Sequence, residues 1–367
     1  MRSGMARVIG AALVLLSLCV PAAIACTGIV ATADGTVLFG NNEDSGSVPA
    51  YLWFSPAPSS ESFGGVYYGL ADRYPQGGMN ERGLSFDHLS RPIHPVTSSS
   101  HLPTPPFRPR NGEWVYRMLE ACGTVAEALA YLSQYDLWFF ERFQLLLGDR
   151  YGDAAVVEGD RIVRKTGDTL LVTNFLLSRP DLGNHPCPRY AGAGATLDEA
   201  RCISAETVRD ALDRAHTTWT CYSNIHRPAT GDVALYYMQD YRHALAFNVR
   251  EELMHGAREF VLSDLPEVAT RRTPHDGTAL NGVDVEFSWY GRAVAYEIVL
   301  SMERDLSRSV VHLAPGCESC GAPRRILRTV TGLRPHTTYY WMLRAKGDEG
   351  FWTESTIYEF TAGAAFG

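Results

Sequence analysis

Between residues 27 and 89 apolar and polar positions alternate in short runs. The spacing predicts strands over 27–32, 36–40, 51–54, 66–70 and 83–89, with Asp34-Gly35 as a tight hairpin turn between the first two. Trp53, Phe54, Tyr67 and Tyr68 fall on these runs and read as core or pocket wall. Residues 91–110 hold Pro92, Pro95, Pro103, Pro105, Pro106 and Pro109 with a serine run, which predicts a loop. The period then changes to that of a helix. Asn111 is the expected cap of one helix ending at Gly123, and Thr124-Val-Ala-Glu127 forms a capping box for a second, with Val125, Ala128, Leu129 and Leu132 on one face. Strands are expected again over 143–147, 154–158, 161–165 and 170–173, helices over 191–200 and 205–215, and a strand pair over 233–238 and 244–249. Blocks of strands alternating with blocks of helices predict an α+β protein with stacked sheet and helix layers, not a doubly wound sheet.

Near residue 270 the texture changes. Arg271, Arg272, Thr273, Pro274, Asp276 and Gly277 read as a polar linker, placed at 269–275. Beyond it come only runs of period two, over 283–289, 295–301, 309–313, 339–345 and 357–361, which predicts a small all-β sandwich over 276–363. A unit of this kind is expected to fold apart from the chemistry upstream.

Composition narrows the class. The chain has 367 residues, 46% hydrophobic and 20% charged, so it is a folded protein of about two domains. The formal net charge is −8 with 33 Lys+Arg and no basic stripe, which argues against a nucleic-acid partner. The first 25 residues read as an export signal: Arg2 and Arg7, an apolar run over 8–18, Pro21, and the small-x-small site Ala23-Ile24-Ala25. No span of membrane length is expected after its removal, and export places the mature protein in a periplasmic or secreted, oxidising setting. Removal takes Cys19 and leaves Cys26 as the first residue. Cys317-Glu-Ser-Cys320 reads as a local disulfide, because a lone C-x-x-C has no partner pair for zinc. Cys122, Cys187, Cys202 and Cys221 allow two bridges in three pairings, which leaves Cys26 free.

An N-terminal cysteine carries a thiol and an α-amine on one residue. With a pKa of about 7.7–8.0 the amine can take the thiol's proton and later hand it to a leaving amine, so one residue serves as nucleophile and base. The competing readings of Cys26 are a lipid attachment site, since Ala23-Ile24-Ala25-Cys26 is also a weak lipobox, and a cysteine of a disulfide.

The residues that follow separate these readings. The run from Cys26-Thr-Gly through Gly40-Asn-Asn-Glu-Asp44, then Gly78-Met-Asn80-Glu-Arg-Gly83-Leu84, Leu171-Val-Thr-Asn174 and Pro188-Arg189-Tyr190, resembles in order the segments of the choloylglycine hydrolase and penicillin V acylase family. The resemblance implies a four-layer αββα N-terminal nucleophile hydrolase domain over 26–268, acting on a small-molecule linear amide without cofactor or metal. It implies Cys26 as nucleophile, Asp44 as the carboxylate holding the α-amine, Asn174 at the substrate and oxyanion, and Arg189 as organiser of the nucleophile. Two positions depart: the motif's arginine after Gly40 is Asn41, and its downstream asparagine falls at Ser90, with Asp87 nearby, so part of the oxyanion or substrate shell is expected to differ. Asn41-Asn-Glu-Asp-Ser45 is also similar to the corresponding run of N-terminal-cysteine dipeptidases. Asn80 is expected to be a turn residue. Trp289 and Leu333-Arg-Pro-His-Thr-Thr-Tyr339 leading into Tyr340-Trp341 resemble the core tryptophan and turn-to-strand signature of fibronectin type III domains. The alternatives carried with the acylase reading are acyl transfer from the same acyl-enzyme and a lipid-anchored binding protein on an inactive hydrolase scaffold. The sequence leaves the oligomeric state open.

Overall fold

The hairpin at Asp34-Gly35 starts the fold as expected: both residues have positive φ, 48° and 77°, the geometry that turns the chain back within two residues. A computed structural model describes residues 26–45, 49–99, 101–106, 112–182, 185, 187–264, 270–316 and 324–364. The expected export signal, the Asn111 cap and the Cys317/Cys320 pair lie outside the described residues.

The chain runs through β1 (Thr27–Ala33), β2 (Thr36–Asp44), β3 (Tyr51–Ser55), β4 (Gly65–Gly69), β5 (Pro75–Asn80) and β6 (Ser85–Ser90) to the helices α1 (Glu113–Ala121) and α2 (Val125–Leu132). Next come β7 (Phe143–Gly148), β8 (Ala154–Val157), β9 (Ile162–Arg164), β10 (Thr169–Val172), α3 (Pro188–Glu199) and α4 (Ala205–Ala215). Then follow β11 (Thr220–Arg227), β12 (Asp232–Tyr237), β13 (His243–Asn248), α5 (Val249–Leu253) and β14 (Arg258–Val261). The last stretch is β15 (Thr270–Thr273), β16 (Thr278–Ala279), β17 (Val285–Gly291), β18 (Ala295–Ser301), β19 (Val310–Pro315), β20 (Arg324–Val330), β21 (Thr338–Lys346), β22 (Trp352–Ser355) and β23 (Tyr358–Thr361). Among the described residues no helix is long and apolar enough to cross a membrane.

One sheet has the order β10-β1-β2-β11-β12-β13 and continues into β22-β21-β18-β19, and a second has the order β14-β3-β4-β5-β6-β7-β8-β9. Strand alternation sends one set of side chains to each face. On the first sheet Ile29, Leu38 and Ile225 meet Val208, Ala211 and Leu212 of α4 and Ala193 and Leu197 of α3. Tyr67, Phe86, Leu145, Leu147 and Val157 of the second sheet meet Trp114, Met118 and Leu119 of α1 and Val125 and Ala128 of α2. The opposite faces pack on each other: Val30, Val37 and Phe39 against Leu89, Leu146 and Val156, and farther along Tyr222, Leu235 and Phe247 against Leu52, Val66 and Tyr68. Each core position thus excludes water by pairing one sheet with a helix pair or with the other sheet.

The Thr124 capping box forms, with Glu127 N–H donating to Thr124 Oγ1 and Thr124 N–H to the Glu127 carboxylate. The preceding helix is capped by Gly112. Asn80 is a buried pin: its amide nitrogen donates to Leu119 O (2.8 Å) and Cys122 O (2.7 Å), and its oxygen accepts from Arg82 N and Leu84 N. Cys122, Cys187, Cys202 and Cys221 form no disulfide among the described residues, against the expected bridges. Cys122 packs in the cluster under α1 and Cys221 in the cluster between the sheets. Cys187 and Cys202 flank α3, a helix of 12 residues and so roughly 18 Å long, far beyond disulfide reach.

The stretch from β15 onward is all strand among the described residues. Phe287, Trp289, Tyr296, Ile298, Trp341 and Phe360 form its core. Tyr339 Oη accepts from Arg334 N–H at 2.9 Å, fixing the turn into β21. Two features differ from the expected separate unit on a free linker. Thr270–Thr273 is a strand paired with β17, and β22 pairs antiparallel with β13 from His243↔Ser355 to Ala246↔Trp352. The two halves therefore share one continuous sheet.

Candidate active site

Cys26 sits at the head of β1, 1% exposed, where three distant segments converge on it. β1 lies between β10 and β2, so the residue just before β1 faces the end of β10 and the loop after it. Asn174 stands two residues past β10, and its Oδ1 accepts from the Cys26 nitrogen at 2.8 Å. Its Nδ2 donates to Ser90 O at 2.5 Å. Gln144 holds this loop by donating from Nε2 to Thr173 O and Phe175 O. Pro188 opens α3, and Arg189 in its first turn reaches back: Nη1 donates to Cys26 O (2.7 Å) and Thr27 Oγ1 (3.1 Å), and Nη2 to Asn174 Oδ1 (2.6 Å). The guanidinium fork thus fixes the carbonyl and the amine acceptor of one residue together.

Asp44 ends β2, fully buried, with Oδ2 3.7 Å from Arg189 Nη1 and Oδ1 accepting from Thr220 Oγ1. The expected amine holder is therefore backed up one step. The Cys26 nitrogen donates to Asn174, and Asp44 supports Arg189 and β11. Asn174, expected at the oxyanion, has its oxygen on the Cys26 nitrogen and its amide nitrogen on Ser90. Ser90 contributes its main-chain carbonyl, not its hydroxyl, to this network. Asn41 is buried one pleat deeper than Cys26 and donates to Asp87 Oδ1 at 2.7 Å.

The thiol has a carboxyl neighbour that the sequence did not single out. Cys26 Sγ donates to Glu43 Oε2 at 3.8 Å. Glu43 is paired with Tyr222 on β11, and Asn41 with Asn224. Tyr222 and Asn224 are likewise absent from the sequence-based set, and Asp87 enters it only as a neighbour of Ser90. All are buried, and Tyr222 Oη, Asp87 Oδ2 and both amide atoms of Asn224 have no hydrogen-bond partner among the described residues. Glu43 carried a readable signal as part of the Asn41-Asn-Glu-Asp44 run, and Asp87 as an acid three residues before Ser90. Burial dominates the electrostatics. It raises the thiol of Cys26 well above its usual range, with Glu43, Asp87 and Asp44 adding to the rise. Burial, then Asp44, pushes Glu43 to about 8, and burial raises Asp44 to about 6 despite Thr220 and Arg189. The thiol is thus held protonated until a base takes its proton.

These shifts set a pH dependence of stability. Glu43 titrates near 4.5 when unfolded and near 8 when folded, so the native state binds its proton more tightly. Its contribution is complete below pH 4.5 and is lost as pH rises through 8, an effect of about 3 kcal/mol by linkage at pH 7. Denaturant titrations at pH 5 and 7.5 are expected to show falling stability in the wild type and a shallower fall in Glu43→Gln. An identical slope in the variant would refute the assignment. No group of three or more His, Cys, Asp or Glu side chains suited to a metal ion occurs among the described residues.

No family model matches the chain, and no curated protein matches it. Among solved structures it is similar to penicillin V acylase from Agrobacterium tumefaciens, with 15% identity and a TM-score of 0.44 over 65% of this chain and 87% of that one. It is also similar to the Caenorhabditis elegans ortholog of N-acylethanolamine-hydrolyzing acid amidase, with 15% identity and a TM-score of 0.43 over 56% of this chain and 93% of that one.

Proposed function

We propose that the chain is an exported cysteine amidohydrolase of the N-terminal nucleophile type, that its two facing sheets and flanking helix pairs are the αββα stack of such an enzyme, and that residues 276–363 form a fibronectin type III-like sandwich attached to it. The observation that carries the reading is the binding of all three functional parts of one residue: Cys26 nitrogen on Asn174, Cys26 carbonyl on Arg189, Cys26 thiol on Glu43. A structural cysteine needs none of these partners. Cleavage before Cys26 turns its nitrogen into an α-amine with Asn174 Oδ1 as acceptor. The amine takes the thiol proton, and Sγ attacks the amide carbonyl. In this reading the buried, unpartnered Tyr222 hydroxyl is the donor offered to the developing oxyanion. The C–N bond then breaks as the ammonium returns the proton to the leaving nitrogen, and water hydrolyses the thioester. Asn174 acts as holder of the base, and Arg189 with Asp44 behind it as positioning residues.

Two measurements test this on the protein purified after export. Intact mass is expected to correspond to 26–367 with an alkylatable Cys26 and no lipid, and a lipid-sized increment on the N-terminal peptide would overturn the reading. A panel of linear amides is expected to include a substrate whose turnover rises with pH as the amine loses its proton, with a midpoint at about 8. A flat profile from pH 5 to 9 would exclude the amine as base.

A further inference from the structure

The wall beside Cys26 holds more carboxyl groups than the chemistry above uses. Asp87, from β6 of the facing sheet, is 0% exposed and Glu43 is 1% exposed. Oδ1 of Asp87 accepts from Asn41, while its Oδ2, Asn41 Oδ1 and Asn224 Oδ1 are buried acceptors with no partner among the described residues. The backbone passes close to this carboxyl at two glycines: a Cβ at Gly77 would press on Asp87 Oδ1 at 3.2 Å, and one at Gly28 would meet Leu146 at 2.6 Å with Asp87 Oδ2 at 3.6 Å. Burial, then Asp44, raises Glu43, and burial, then Glu43, raises Asp87 well above the usual carboxylate range, so both hold a proton until a cation beside them favours the carboxylate form. Asn41 stands where the resembled motif has an arginine, the residue type that would supply a cation here. Buried acceptors without partners are costly, and several of them beside a nucleophile call for a donor that the described residues do not supply.

Resting on the reading of Cys26 as an amidohydrolase nucleophile, we infer that the acyl part of the substrate carries a protonated amine next to the scissile carbonyl, bound between Glu43 and Asp87, so that the substrates are aminoacyl amides and not neutral or anionic acyl amides. The geometry sets the distance. Glu43 Oε2 lies 3.8 Å from Sγ, so a carbonyl under attack by Sγ places its α-substituent within reach of Glu43. An ammonium has three donors, and Glu43, Asp87 Oδ2 and Asn41 Oδ1 are three acceptors for it. A neutral group there leaves Asp87 Oδ2 and Asn41 Oδ1 unpaired, the situation in which a polar pocket rejects an analogue most strongly.

The test uses the processed protein and two amides alike in acyl chain and leaving amine, one with an α-amine and one with hydrogen in its place. The aminoacyl amide is expected to be preferred in kcat/KM by roughly 100-fold or more. Asp87→Asn is expected to cut the preference below about tenfold through loss on the aminoacyl amide. Asn41→Arg, which brings a resident cation to Asp87, is expected to turn the preference toward the des-amino amide. Calorimetry of the same two amides on Cys26→Ala reads recognition without turnover. Equal turnover of both amides by the wild type would overturn the amine pocket and leave the hydrolase reading standing. Binding of the amine form alone, with no turnover of any amide, would support the pocket and overturn the hydrolase. Neither binding nor turnover would overturn both.

Discussion

Cys26→Ala is expected to abolish amide cleavage, by roughly three orders of magnitude or more, in a protein that still folds. The side chain removed is small and buried, with an apolar wall of Val30, Leu89 and Leu146 nearby, so the loss of packing is modest. The amine acceptor Asn174 and the Arg189 fork bond main-chain atoms of residue 26 and the neighbouring Thr27 hydroxyl, and these bonds remain available around an alanine. Activity lost with the melting temperature held therefore isolates the thiol. Cys26→Ser keeps the shape but replaces a polarizable nucleophile with a hydroxyl whose proton is far harder to remove, and it is expected to leave only a small residual rate. Steady-state kinetics beside thermal denaturation check both variants. Turnover near the wild-type rate in Cys26→Ala would end the proposed mechanism.

Much of the fold was legible because most strands follow the alternation that a half-buried surface imposes. β1, β2, β3, β7 and β10 read cleanly, and so did the capping box of α2. The strands that escaped notice are those whose residues answer to something other than burial of apolar area. β11, Thr-Cys-Tyr-Ser-Asn-Ile-His-Arg, is a central strand buried on both faces over seven positions, yet half of its side chains are polar. Tyr222 and Asn224 face the candidate site, Ser223 meets Tyr241, and His226 meets Ser85. β5 contains Gly77 and Gly78, which weaken any strand propensity, and they are there because Asp87 and Phe86 of the neighbouring strand press on them. The site divided in the same way. Cys26, Arg189 and Asn174 were visible in motifs and meet in space. The division of work among Asp44, Asn174 and Ser90 was not visible, because which of two polar groups faces a nitrogen depends on the end of β10 and the first turn of α3, set by packing 148 and 163 residues away in sequence.

Truncation before residue 272 is expected to give an unstable or aggregating protein, although every residue placed in the candidate site would be retained. The expectation of a separable sandwich rested on a change of texture, and texture does not report strand pairing across a boundary. β13 ends its own half of the sheet and is covered by β22 over four residue pairs. Removing β22 leaves a row of unpaired main-chain groups on an apolar strand, Ala244-Leu-Ala-Phe247, the kind of edge that pairs with other chains. The cut also removes Phe351, 1% exposed, which packs edge-on to Phe260 at 4.7 Å and Phe247 at 5.8 Å and stacks on Phe54 at 6.2 Å. These partners belong to the cluster beneath Tyr222 and Tyr68, so the hole would open in the same inter-sheet layer that holds Glu43's neighbour. Arg272 adds a polar tie, donating to Tyr358 Oη at 2.7 Å with His243 Nε2 3.1 Å away. A milder variant keeps the test readable if the truncated chain cannot be purified. Phe351→Ala in the full chain is expected to cost about 3–5 kcal/mol and to lower the melting temperature by several degrees. A truncated protein that stays soluble, melts as the full chain does and turns over the same amide would show that the shared sheet contributes nothing to the catalytic half.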